Sequence, residues 1–174
     1  MTTRPLDDME TAAWVRLAAV VELLPGVLDT QLRRDAGLTH FEYVVLAMLA
    51  EAPEHVLRMS ALAAQTSSTL PRLSHVVTRL EKRGLLRRTP CPEDGRASNA
   101  HLTEAGSQKL RSAAPGHVAT VRRYVLDALT PEQLQDVAGI AQAILEKIDP
   151  DGSMTAFCRR PAVLAGAEVS SPGR

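Results

Sequence analysis

Apolar residues recur at steps of three and four along most of the chain. The first such stripe, Trp14, Leu17, Val21, Leu24, Leu28 and Leu32, predicts a helix that opens near Asp8. Pro25 lies inside it, removes one backbone donor and predicts a bend. Gly37 is placed to end this helix, and Thr39 with Glu42 forms a capping box that opens a second one through "FEYVVLAMLAEA". A short third helix is expected around "SALAAQ". Ser67, Ser68 and Thr69 then offer caps for a fourth, roughly residues 70 to 83, in which Pro71 fits only the first turn. Leu73, Val76, Val77 and Leu80 form its apolar face, and Gly84 terminates it. The pattern then changes: "LLRRTPC" reads as a strand, "PEDGRAS" as a turn and "NAHLT" as a return strand, "ASNAHLT" being polar enough to predict a short or mobile wing.

Thr103 opens a long fifth helix, with a bend expected at Pro115 and Gly116. Thr130, Pro131 and Gln133 open a sixth, whose stripe Leu134, Val137, Ala141, Ile144 and Ile148 is near-heptad. Two heptads are too few for a free coiled coil but suit packing against another helix. Residues 150–174 lack periodicity and read as a mobile tail. The fold class expected is therefore mainly α: a winged helix-turn-helix, with a three-helix core and a β-hairpin wing, between N- and C-terminal helices. The chain divides into a first helix (1–36), the winged lobe (37–102), the last helices (103–149) and the tail.

Composition agrees with one helical domain. The chain has 174 residues, 45% of them hydrophobic, which suffices for a single core and not for two large ones. Neither a signal peptide nor an apolar run of the length needed to cross a bilayer stands out, so no membrane partner is expected and a cytoplasmic location is. Cys91 and Cys158 lie far apart in dissimilar sequence, which is no disulfide framework. The histidines fall at no metal-ligand spacing, and neither a nucleophile elbow nor a phosphate-binding loop is present. No metal, no cofactor and no catalysis are expected.

Charge changes the picture more. The net charge is zero, yet residues 58–111 hold ten Arg or Lys against four Asp or Glu, a local excess of +6 balanced by −6 elsewhere. A basic middle between acidic ends is a footprint for a polyanion. The excess centres on the fourth helix, where Arg72, Ser74, His75, Thr78, Arg79 and Lys82 stand off the apolar face. Such a helix, second of a closely joined pair, fits the DNA major groove. Ser67 and Thr69 at its start, Arg88 on the following strand and Arg96 at the hairpin tip complete the candidate DNA contacts.

"ALAAQTSSTLPRLSHVVTRLEKRGLLRR", then "DGR" and "HLTEAG", resembles the multiple-antibiotic-resistance regulator (MarR) family. That family's pattern is R-L-x-x-R-G-L at the end of the helix-turn-helix, D-x-R in the wing and L-T-x-x-G after it; the likeness spans about residues 10–148. "RLSH" and "AAPGH" are similar to a subgroup common in high-GC bacteria. The resemblance implies a homodimer on a pseudo-palindromic operator in double-stranded DNA, acting as a repressor relieved by a small aromatic or phenolic effector, with Asp94 holding the wing turn while Arg96 reaches DNA. Dimer contacts would come from Trp14, Leu17, Val21, Leu134, Val137, Ile140, Ile144 and Ile148. Phe41 and Tyr43 are expected in the core, where they could also border the effector. The alternative is a winged-helix dimer that acts through a protein partner, with DNA binding weak or lost.

Overall fold

The computed structural model describes residues 4–92, 94–152 and 154. Helix α1 (Asp8–Ala36) runs through Pro25 without interruption, from a capping box between Asp7 and Glu10 to a left-handed Gly37. A second capping box, Thr39 with Glu42, starts α2 (His40–Glu51) as the sequence predicts. A short turn leads to β1 (Val56–Arg58), α3 (Met59–Gln65) and α4 (Leu70–Lys82). The hairpin β2 (Leu86–Cys91) and β3 (Asp94–Leu102) follows, then α5 (Glu104–Tyr124) and α6 (Pro131–Ile148).

Two features of the sheet differ from the sequence reading. The return strand begins at Asp94 rather than near Asn99, so most of "PEDGRAS" is strand, and the wing is longer than its polarity predicts. Alternation of apolar and polar residues marks a strand only where one face is buried. Apart from Cys91 the outer hairpin buries no side chain among the described residues and is held by backbone pairing, with Pro90 opposite Ser98, so its polar residues carry no strand signal. The second difference is β1, which pairs with β3 so that Leu57 faces Ala100 and makes a three-stranded sheet in the order β1-β3-β2. Three residues are too few to show a period.

Leu32, Leu38, Leu46, Leu49, Leu62, Leu73, Leu80, Leu86 and Leu110 are fully buried in one core that ties the end of α1 to α2, α3, α4, β2 and α5. The R-G-L and L-T-x-x-G motifs meet at its edge. Gly84, at φ 70°, turns the chain out of α4, and the Leu85 N–H closes back on the Leu80 carbonyl at 3.0 Å. Thr103 donates to the Gly84 carbonyl at 2.7 Å and accepts the Gly106 N–H at 3.0 Å, capping α5 against that turn. A Cβ on Gly106 would lie 2.0 Å from the Leu85 carbonyl oxygen. Only glycine lets α5 start this close to the end of α4.

The outer parts of the chain look different. In α1 only Leu28, Gln31, Leu32 and Ala36 are buried, and in α6 no residue is. Trp14, which the sequence places in a core or dimer contact, is 60% exposed, and Leu17, Val21, Val137, Ile140, Ile144 and Ile148 are exposed with it. Leu134 is half-buried. A stretch of α1 has a mean hydropathy of 1.5 and meets the length and composition for crossing a bilayer, a correction to the sequence reading. The turn at the end of α1 is nevertheless packed in protein through its buried residues. Cys158 and all but the start of the expected tail lie outside the described residues.

Candidate nucleic-acid interface

Helix α4 sorts its residues cleanly. Leu73, Val76, Val77 and Leu80 are buried, Arg72, His75, Arg79 and Lys82 are exposed, and Ser74 and Thr78 lie between. Ser67, in the turn before it, is held at φ 47°, a left-handed conformation that costs a serine about 1 kcal/mol. Thr69 occupies the cap position without a side-chain bond, so the first-turn amides of Leu70 and Arg72 have no side-chain acceptor. Their N–H groups and the positive end of the helix suit a phosphate.

The arginines around α4 are held in different ways. The Arg72 guanidinium lies over the Phe41 ring, 4.8 Å from its centroid. Arg79 and Arg83 both approach Glu42, at 3.3 and 3.7 Å, while Glu42 also accepts the Thr39 N–H at 2.8 Å. One buried carboxylate thus caps α2 and anchors the end of α4. Arg83 is a residue the sequence reading did not single out; a capping Glu gives no sign of which arginines will reach it.

Arg88 is drawn inward. It donates from Nε, Nη2 and its backbone N–H to Glu81, at 3.0, 2.7 and 3.0 Å, and from Nη2 to Thr78 at 3.3 Å. Its cation holds the Glu81 carboxyl below the usual range. Arg88 and Thr78 therefore fasten β2 to the back of α4, which the charge pattern alone could not distinguish from a DNA contact.

In the wing, Asp94 accepts the Arg96 N–H at 3.1 Å and pairs with Arg58 of β1 at 2.5 Å. Asp94 supports the turn as expected, but its counter-ion is Arg58 rather than Arg96. The Arg96 side chain is exposed and enters no ion pair among the described residues. Cys91, at the end of β2, is a buried free thiol.

Phe41 and Tyr43 part ways. Two residues apart on a helix, they point to different sides: Phe41 lies under Arg72, whereas Tyr43 packs against His117 of α5, ring centroids 4.5 Å apart. His40 stacks on the same imidazole at 6.1 Å. The Tyr43 hydroxyl, His117 Nδ1 and, on α1, Gln31 Oε1 are buried without a hydrogen-bond partner among the described residues. Burial, aided by His40, holds the His117 pKa down to about 4, and burial alone pushes Tyr43 up to about 12. Beside this cluster a groove of about 690 Å³ runs between α1 and α5, lined among others by Leu23, Val27, Gln31, Arg34, Arg123 and Tyr124. Neither Phe41 nor Tyr43 lines it.

The depressed His117 value sets a pH dependence. A histidine that binds its proton less well folded than unfolded stabilises the fold above its ordinary value of 6.5, and that stability is lost as pH falls toward about 4. Denaturant unfolding of the intact chain is expected to lose more stability between pH 6.5 and pH 4 than that of His117→Gln. Parallel curves for the two proteins would contradict it.

A basic helix exposed beside a β-hairpin, on a core of three helices and a small sheet, defines a winged helix-turn-helix protein of the DNA-binding class. The sequence profile of the MarR family matches residues 36–97. Over 86% of this chain and 93% of its own, the MarR family transcriptional regulator Sco3205 of Streptomyces coelicolor, solved in complex with DNA, is 44% identical with a TM-score of 0.81. AbsC, a second such regulator from the same organism, is 40% identical over 84% of this chain and 98% of its own, with a TM-score of 0.77. CouR of Rhodococcus jostii RHA1, solved bound to p-coumaroyl-CoA, is 25% identical over 83% and 94%, with a TM-score of 0.67. The chain belongs to the MarR family: it is a DNA-binding transcriptional regulator and not an enzyme.

Proposed function

We propose that the protein is a homodimeric repressor that binds a pseudo-palindromic operator and is released by a small aromatic or phenolic effector, in the cytoplasm where its DNA target lies. The observation that carries the DNA reading is the exposed row Arg72, His75, Arg79 and Lys82 opposite the fully apolar face of α4. Early residues of a recognition helix reach base edges, so Arg72 and His75 read sequence, with Ser67, Thr69 and Ser74 beside them. Lys82 and Arg79 lie later and meet phosphate. Arg96, left free at the wing, enters a minor groove whose negative potential attracts arginine.

The dimer reading rests on α1 and α6. Their exposed apolar side chains exceed what a monomer keeps in water, and two separate helices share the property. Arg16 and Glu22 interrupt the apolar stretch of α1, which suits a second copy better than a bilayer core. The effector reading rests on the groove between α1 and α5, lined in part by Gln31, whose buried Oε1 has no hydrogen-bond partner among the described residues. CouR, with its bound p-coumaroyl-CoA, supports an effector of that kind.

Operator titration at several salt concentrations tests the DNA reading. His75→Ala is expected to lose about 1 to 3 kcal/mol of preference for operator over random DNA, and Lys82→Ala to weaken both alike. Arg96→Ala should lower the salt slope by about two for the dimer, one per subunit. Folded variants with unchanged affinity, preference and slope would reject the reading and leave action through a protein partner.

A further inference from the structure

We infer that Phe41, in the first turn of α2, is a positioning residue for base recognition by Arg72. The inference rests on the reading that α4 contacts base edges. Five arginines lie on α4 or within six residues of its end, Arg72, Arg79, Arg83, Arg87 and Arg88, and three of them are tied to carboxylates: Arg79 and Arg83 to Glu42, Arg88 to Glu81. A carboxylate fixes a guanidinium by consuming its N–H donors. Arg72 is fixed differently, by its flat face over the Phe41 ring at 4.8 Å, and it enters no ion pair among the described residues. A stacked guanidinium keeps its edge donors, and those donors pair with the O6 and N7 acceptors of guanine.

The ring itself is well anchored. Phe41 is half-buried and packs against the hydrophobic core. Its helix turn is pinned on both sides: the Thr39 and Glu42 side chains exchange bonds with the backbone, and Asp29 of α1 accepts the His40 N–H at 2.9 Å. Arg72 thus surrenders part of its side-chain freedom before DNA arrives, and the entropy lost on binding a base is smaller. Lys82, without such a platform, would keep its freedom and serve as a mobile charge.

The experiment measures the ratio of operator to random-sequence affinity, at one salt concentration, for the full-length chain and for Phe41→Leu, Phe41→Met, Phe41→Tyr, Arg72→Ala and the Phe41→Leu, Arg72→Ala double variant. Thermal unfolding is followed in parallel. Phe41→Leu and Phe41→Met are expected to lower the ratio about two- to fivefold, the worth of an exposed cation–π stack, with random-sequence affinity unchanged. Phe41→Tyr, which keeps a ring, should retain the ratio. In the Arg72→Ala background, Phe41→Leu should cost nothing more. An unchanged ratio in both apolar variants, an equal loss on random DNA, or the same loss with and without Arg72 would overturn the inference. An Arg72→Ala protein with an unaltered ratio would instead overturn the reading of α4 as the base-contacting helix.

Discussion

Gly106→Ala is expected to destabilise the protein by about 3 kcal/mol or more, at the upper end of the cost of overpacking a core. The added methyl would stand 2.0 Å from the Leu85 carbonyl oxygen and 2.8 Å from a Leu102 methyl carbon. Neither neighbour can easily yield. The Leu85 carbonyl already accepts the Thr103 N–H at 3.2 Å, and Leu85 is fastened to Leu80 at the end of α4. To make room, α5 would have to lift off the α4 turn, loosening the Thr103 cap and opening the buried Leu110 beneath it. For a chain of this size the loss corresponds to a drop of about 6 to 12 °C in Tm, measurable by calorimetry. A variant that melts with the unmodified protein would show that the α4–α5 junction is not as close as the distances state.

Breaking the proposed dimer is expected to have the larger effect on function. Val21→Asp and Ile140→Asp each place a carboxylate in an apolar stripe that is open in the single chain, at 60% and 59% exposure. In a lone chain such a change is nearly free, because the residue is already in water. In a two-fold interface it buries two charges, one per subunit, with no partner designed for them. Sedimentation should therefore find a dimer for the unmodified chain at micromolar concentration and monomers for both variants. Losing one of two linked half-site contacts removes the gain of multivalency, so operator affinity should fall by at least about a hundredfold. Recognition helices in the intact dimer would lie about 34 Å apart, one turn of DNA. An unmodified chain that is monomeric, or variants that remain dimers with full operator affinity, would remove the dimer from the proposal.

The limits of sequence reasoning show most clearly in the wing. Cys91, Asp94 and Arg96 were placed in or beside a turn, and the turn is there, but the strand that follows starts within it. Among the described residues of the outer hairpin only Cys91 is buried, and one buried position shows no apolar period of the kind that reveals strands elsewhere. The contact between Tyr43 and His117 escaped for a related reason. Tyr43 belongs to an apolar run that reads as core, and nothing local says that its ring packs against His117 of α5.

What the sequence determined by itself is everything governed by neighbours along the chain. The capping boxes at Thr39 and Thr130, Pro71 in the first turn of α4, the glycines that end α1 and α4, and the apolar face Leu73, Val76, Val77 and Leu80 all depend on residues within one or two helical turns. Those signals sufficed for the order of helices, while the family resemblance came from the R-L-x-x-R-G-L, D-x-R and L-T-x-x-G motifs. Tertiary structure alone decided which charges are free to act. Arg58 reaches Asp94 across 36 residues, Arg79 and Arg83 share a glutamate from another helix, Arg88 is turned inward, and Arg72 rests on a ring. A cation's availability is set by the nearest carboxylate or ring in space, and at these distances along the chain only the packed core brings the two together.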